Sequence, residues 1–201
     1  MDNKQENNIN EYFPKFNNMC IEIVKIEELY ITFILKGVDN TIANSLRRIL
    51  ISAVPTLAIE DVKIINNTSV INDEMLSHRI SLIPLSYSAL EELGSFELSI
   101  LCPNDKNITE VRSNELKYIS KSNDIKPLYD DILIAKLKPG QQIHLEAFCK
   151  KGVGSEHSKY SPVSTVTYNK KEDDFVFNVE CIGSIEPKLL VKNALIILNN
   201  S

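Results

Sequence analysis

VDNTIANSLRRILIS, residues 38–52, reads as one amphipathic helix, and AVPTLAIED, residues 53–61, reads as its exit into a strand. Gly37 turns the chain into the helix, and Asp39 or Asn40 caps its first free N–H groups. Ile42, Leu46, Ile49, Leu50 and Ala53 recur at helical spacing and form one apolar stripe. Pro55 ends it. Arg47 and Arg48 are adjacent and therefore diverge by roughly 100° around the axis. At most one of them follows the stripe. The residues alone leave two readings of the pair open: a solvated flank, or a fork for a carboxylate or backbone carbonyls of another chain.

Outward from the helix, the pattern is mostly strand. Residues 20–26 and 29–38 read as two strands joined by the acidic Glu27-Glu28 turn. In the second, Leu29, Ile31, Phe33 and Leu35 alternate with Tyr30, Thr32, Ile34 and Lys36. Residues 57–65 form the next strand, and a short helix starts near Asn72 with Asp73 and Glu74 in its first turn. Residues 96–101 alternate as a strand, whereas 102–129 are polar and read as a surface excursion. Residues 132–137 and 142–150, on either side of Pro139-Gly140, read as a hairpin. Two more strands follow over 163–168 and 175–182. A closing helix spans 186–199, with Ser184 as its cap and Val191, Ala194, Leu195 and Leu198 as its stripe. Leu190 and Ile197 widen that stripe beyond what one small sheet requires, which points to a partner helix. The order β-β-α, mixed middle, β-β-α predicts an α+β fold in which the two ends form one domain around an inserted middle. Residues 1–15 read as a flexible N-terminus.

The 201 residues are 43% hydrophobic and 24% charged, which suits a globular protein of one large domain or two small ones. The formal net charge of −5 argues against gripping nucleic acid through its phosphates. No apolar run reaches about 18 residues, and the polar N-terminus lacks a signal-peptide core. Cys20, Cys102, Cys149 and Cys181 include no CxxC pair; three lie in predicted strands and read as reduced, small core residues.

No catalytic constellation emerges. His78 lies four residues after Glu74 on one helical face, but two ligand types without a third make a weak metal site. His144 alternates with apolar strand residues, and His157 sits beside Glu156 in a loop. The chain has no G-x-S-x-G, no Walker loop and no G-x-G-x-x-G. The acid pairs Asp73-Glu74, Asp130-Asp131 and Asp173-Asp174 fall at helix starts and turns, where caps and solvated charge account for them.

Four blocks carry a resemblance: residues 44–63 (NSLRRILISAVPTLAIEDVK), 65–85 (INNTSVINDEMLSHRISLIPL), 140–168 (GQQIHLEAFCKKGVGSEHSKYSPVSTVTY) and 177–187 (FNVECIGSIEP). Together they resemble the alpha-like subunits of DNA-dependent RNA polymerase: the third-largest subunit of polymerase II, the larger alpha-like subunit of polymerases I and III, and the archaeal D subunit. NNTSVI and HSKYSPVST lean toward the I/III type, and the short closing segment toward the II type. The shortness fits a compact viral subunit or a divergent lineage.

The resemblance implies a discontinuous dimerisation domain, 16–54 plus 163–201, made of a sheet and two long helices. A mixed, mainly β insert, 55–162, would interrupt it. It implies a non-catalytic platform subunit that pairs with a small alpha-like subunit through Ile42, Leu46, Ile49, Leu50, Val191, Ala194, Leu195 and Leu198. The second-largest and largest subunits, and small accessory subunits, would then assemble on it, with Arg47, Arg48, Asp73, Glu74, His78 and Arg79 facing the large subunits. DNA is reached only through the complex, and no membrane is involved. Many relatives carry a cysteine cluster in the insert for zinc or iron–sulfur. Here residues 86–103 offer only Cys102, so no metal and no other cofactor is expected. The implied compartment is intracellular and reducing: the nucleus in a eukaryote, the cytoplasm or virion in an archaeal or viral setting. The rival readings are a free-standing adaptor or homodimeric binding protein that reuses the fold and, less well supported, a small enzyme.

Overall fold

The computed structural model of the chain describes residues 19–86, 94–105, 107–119 and 125–200; the N-terminal residues 1–15 lie outside them. Its first elements are β1 (Cys20–Ile26), β2 (Tyr30–Lys36), α1 (Asn40–Ser52), β3 (Thr56–Asn67), α2 (Asp73–Ser81) and β4 (Ser95–Leu101). They are followed by β5 (Thr109–Arg112), β6 (Lys117–Ile119), β7 (Leu133–Leu137), β8 (Gln142–Gly152), β9 (Val163–Lys171), β10 (Asp174–Cys181) and α3 (Pro187–Asn200). The fold is α+β. It divides into two compact units, Met1–Pro55 with Val153–Ser201, and Thr56–Gly152.

The first unit is an antiparallel sheet in the order β1-β2-β10-β9, with α1 packed on α3 and β9, and α3 also touching β2. The alternation in β2 does what its sequence dictates. Ile31, Phe33 and Leu35 are buried, while Tyr30 is exposed and Thr32, Ile34 and Lys36 are exposed or half-buried. Phe33 pairs with Phe177, which pairs with Tyr168, so three rings line up across three strands. Their centroids are 4.9 and 5.2 Å apart with interplanar angles of 4° and 28°, each pair adding about 0.5–1.5 kcal/mol beyond burial. Gly37 takes φ 72° at the entry to α1, and Asp39 Oδ1 accepts from Ile42 N at 2.8 Å.

The loop 153–162, expected in the insert, falls in this first unit. Ser155 N donates to Ser52 O at 3.0 Å, and Ser161 Oγ to Ile51 O at 3.2 Å. These bonds occupy carbonyls that the end of α1 leaves unpaired. Ser184 is not the cap of α3. Its buried hydroxyl has no hydrogen-bond partner among the described residues, and the first helical bond runs from Leu190 N to Glu186 O. Pro187 fills the first helical position, where a missing N–H costs nothing.

The second unit is a four-stranded antiparallel sheet, β3-β8-β4-β6, with a separate pair, β5-β7. Helix α2 packs on β3 and β7, burying Leu76 and Ile80 in a core with Ile59, Phe96, Leu98 and Leu145. Two expectations are corrected. The strands on either side of Pro139-Gly140 are not a hairpin pair: β7 pairs with β5, and β8 with β3 and β4. Residues 102–129 are not merely a surface excursion. They contribute β5, β6 and the buried Val111, Ser113, Leu116 and Ile125.

Candidate protein-interaction surface

The apolar stripe of α1 resolves into two flanks. Ala43, Leu46 and Leu50 are completely buried within the chain. Ile42 and Ile49, one step around the helix, are half-buried. In α3, Leu190, Val191, Ala194, Leu195 and Leu198 are buried, whereas Leu189 and Ile196, seven residues apart on one face, are 40% and 43% exposed. Of the eight residues assigned to a partner, six therefore already serve the chain's own core. On these two helices, the apolar side chains left half-buried or exposed include Ile42 and Ile49 on α1 and Leu189 and Ile196 on α3. Spacing located the stripe but could not say how much of it one sheet would cover.

The two arginines differ in the way their divergence requires. Arg47 is half-buried, with Nε and Nη2 donating to Asn44 Oδ1 at 3.2 and 3.0 Å. Arg48 is exposed, its guanidinium has no hydrogen bond or ion pair among the described residues, and its carbonyl accepts from Ser52 Oγ at 2.8 Å. Arg48 is the free cation of the pair.

In the second unit, Asn72 caps α2 through Met75 N, and Asp73 and Glu74 occupy the first turn. Both carboxylates and His78 are exposed. Arg79 is exposed too, but its guanidinium is engaged: Nε donates to Ile134 O at 3.0 Å and Nη2 to Leu133 O at 2.6 Å, tying α2 to β7. It holds the insert together, a role invisible to sequence because the acceptors are backbone atoms 54 and 55 positions away.

The remaining candidates have local partners. His144 Nε2 lies 3.5 Å from Glu97 Oε1 across the strands. His157 Nδ1 accepts from Lys159 N at 3.1 Å, which starts a short 3₁₀ turn over Ser158–Tyr160. Cys20 is exposed, contrary to the expectation of a core residue; Cys102 and Cys181 are buried and Cys149 is half-buried. Burial holds the Cys149 thiol up to about 12 and, helped by the Glu180 charge, the Cys181 thiol up to about 11. Both stay protonated and unreactive at neutral pH.

Among the described residues, no three His, Cys, Asp or Glu side chains gather to hold a metal ion. Cys102 Sγ accepts from Thr109 Oγ1 at 3.2 Å in an apolar setting, which does not fit a cysteine cluster. No helix among the described residues is long and apolar enough to cross a membrane.

The family of RNA polymerase Rpb3/Rpb11 dimerisation domains matches residues 32–201, from β2 through α3. The chain belongs to this family of alpha-like RNA polymerase subunits. Its similarity to DNA-directed RNA polymerases I and III subunit RPAC1 of Mus musculus is 35% identity over 186 residues, covering 75% of this chain and 54% of that protein. Subunit Rpo3 of Methanosphaera stadtmanae is 38% identical over 165 residues, covering 75% and 60%. The Arabidopsis thaliana subunit 3 of polymerases II, IV and V is 32% identical over 205 residues, covering 86% and 61%. The chain thus spans little more than half the length of these relatives.

Proposed function

We propose that this chain is a non-catalytic platform subunit of a DNA-dependent RNA polymerase. The observation that carries the reading is the family match, which runs through both long helices, together with the apolar flanks those helices leave uncovered. Ile42, Ile49, Leu189 and Ile196 pack against the corresponding helices of a small alpha-like subunit. The second-largest and largest subunits then assemble on the pair, and DNA is met only through the complex. Arg48 is the leading contact for a large subunit, with its five donors uncommitted to this chain. Asp73, Glu74 and His78 form a second contact region on the insert.

The test is co-expression with the small alpha-like chain of the same genome, followed by size-exclusion chromatography with light scattering. The expected species is a 1:1 heterodimer. A stable homodimer that ignores that chain favours the adaptor reading, and a well-behaved monomer counts against both. Affinity purification from the native source should bring down the two large polymerase subunits. Changing Arg47 and Arg48 to Ala should spare the heterodimer and weaken recruitment of the second-largest subunit, with Arg48→Ala giving most of the effect.

A further inference from the structure

Helices α1 and α3 hold charge of one sign. Between them they carry Arg47, Arg48, Lys188 and Lys192, and neither contains an Asp or a Glu. The chain as a whole has a formal net charge of −5, so this concentration of cations runs against its composition. The carboxylates nearest in sequence, Asp39 and Glu186, come before the first residue of each helix, where the helix dipole favours them. Asp39 is already spent as the cap of α1.

On α3 the two lysines lie outside the buried face. Lys188 and Lys192 are exposed, and neither has a hydrogen bond or an ion pair among the described residues. Lys192 comes three residues after Leu189 and four before Ile196, so it stands roughly 60° and 40° around the axis from them. It therefore borders the exposed apolar stripe at its midpoint. Lys188 lies one turn earlier, and like charges at that spacing repel. The chain alone holds an arrangement that costs it stability, and an anion supplied from outside removes that cost.

We propose that Lys192 selects the partner of these helices: it disfavours a second copy of this chain and favours a helix that sets an Asp or Glu opposite it. In a two-fold pair the same patch meets itself. Two α3 stripes crossing at their midpoint bring Lys192 toward its counterpart in the second copy, on helices about 8–10 Å apart. Lys188 of each copy lies one turn away, and no acid in either helix offsets the repulsion. Like charges set against each other are how an interface rejects a wrong partner. A partner helix with apolar residues against Leu189 and Ile196, and a carboxylate between Lys188 and Lys192, pairs both ammonium groups at the edge of the seam. Their aliphatic stems then lie along the stripe. The proposal rests on the heterodimer reading for there being such a partner, and on the charges of α3 for its chemistry.

The test uses the full chain, tagged, expressed alone and with the small alpha-like chain of the same genome. Lys192→Glu, Lys192→Arg and Lys192→Leu are compared with wild type by light scattering and by retention of the small chain. Lys192 is exposed, so thermal melts should match wild type. If Lys192→Glu melts early, Lys192→Gln replaces it. With the small chain present, Lys192→Glu should hold it at least tenfold more weakly, and Lys192→Arg as tightly as wild type. Wild-type retention should also weaken from 0.1 to 0.5 M salt, where screening shortens the Debye length from about 10 Å to under half that. Expressed alone, Lys192→Leu should self-associate at least tenfold more tightly than wild type. Equal retention by wild type and Lys192→Glu, retention that ignores salt, or no gain in self-association by Lys192→Leu overturns this proposal alone. Failure of the wild type to hold the small chain overturns the heterodimer reading, and this proposal with it.

Discussion

Replacing Gly154 by Ala should break the end of α1 away from the loop that holds it. A Cβ on Gly154 meets Ile51 O at 2.4 Å, Ser52 Cα at 3.2 Å and Ile51 C at 3.4 Å. All three are backbone atoms, so no side chain can swing aside. Gly154 is not among the glycines with positive φ, so the cost is steric, not conformational. Restoring an ordinary contact to Ile51 O requires a shift of about 1 Å. The two bonds that pin the loop to α1, now 3.0 and 3.2 Å, then stretch to roughly 4 Å, outside hydrogen-bonding range. Two lost bonds at about 1 kcal/mol each, with about 1 kcal/mol or more of overpacking strain, give roughly 2–4 kcal/mol. For a chain of this size that lowers Tm by about 5–15 °C. Urea and thermal unfolding of the full chain measure the loss, and hydrogen exchange in the last turn of α1 locates it. Ser161→Ala is the comparator, since it removes a hydroxyl bond without a clash and should cost only about 1 kcal/mol. If Gly154→Ala melts within about 2 °C of wild type, or exchange quickens everywhere except α1, the loop is not what fixes that helix.

Arg79→Ala should lower insert stability by about 1–3 kcal/mol, read from the urea midpoint, because two backbone carbonyls lose a charged donor; Arg79→Lys should recover less than half. Leu46→Ala should destabilise the chain itself by about 2–5 kcal/mol, since Leu46 is completely buried in it. Ile49→Asp should leave the chain folded and abolish heterodimer formation in chromatography. Thiol alkylation of the native protein at pH 8 should modify Cys20 and leave Cys102, Cys149 and Cys181 untouched until denaturant is added, as mass spectrometry would show. Lys136, then Arg112, hold the Glu110 carboxyl below the usual range, so its stabilising contribution is present above the ordinary carboxyl value and fades as pH falls through the depressed one. The stability gap between wild type and Glu110→Gln should therefore be present at pH 7 and shrink below about pH 4.3.

The helices and the central strands were legible because each carries one strong period. In α1, the cap, the stripe and the stop all point to the same span. In β2, Ile31, Phe33 and Leu35 alternate with Tyr30, Thr32, Ile34 and Lys36, Ile34 being the one aliphatic residue on the second face. The strands β5 and β6 were not legible, because they are four and three residues long in a polar stretch: Val111 is the one apolar residue of β5, and β6 is only Lys117, Tyr118 and Ile119. Pro139-Gly140 misled for a different reason. It is a genuine tight turn, with Gly140 at φ 78°, but turn chemistry fixes only where the chain reverses. It does not fix which sheet each arm joins, and β7 and β8 go to different ones. The candidate surface was legible in outline only. Periodicity identified apolar positions on α1 and α3 but could not separate Leu46, which faces the chain's own sheet, from Ile49 beside it. The bonds of Arg79 to β7 were not legible, because their acceptors are backbone carbonyls more than 50 positions away.

The pairing of β2 with β10 sets an order of events during synthesis. When β2 leaves the ribosome, its partner has not been made. At roughly 5–20 residues per second, the wait is on the order of 10 s. Throughout it, the edge of β2 that pairs with β10 is open. The segment Thr56–Gly152 is a continuous compact unit, and all of it is made before β10. Its outermost register pair is Thr56 with Gly152, so folding it brings together the points where the chain enters and leaves. What would have been a very long loop between β2 and β10 then closes as a short one, at a correspondingly smaller entropy cost. Slowing the closure of that segment should therefore expose the unpaired strand to aggregation for longer.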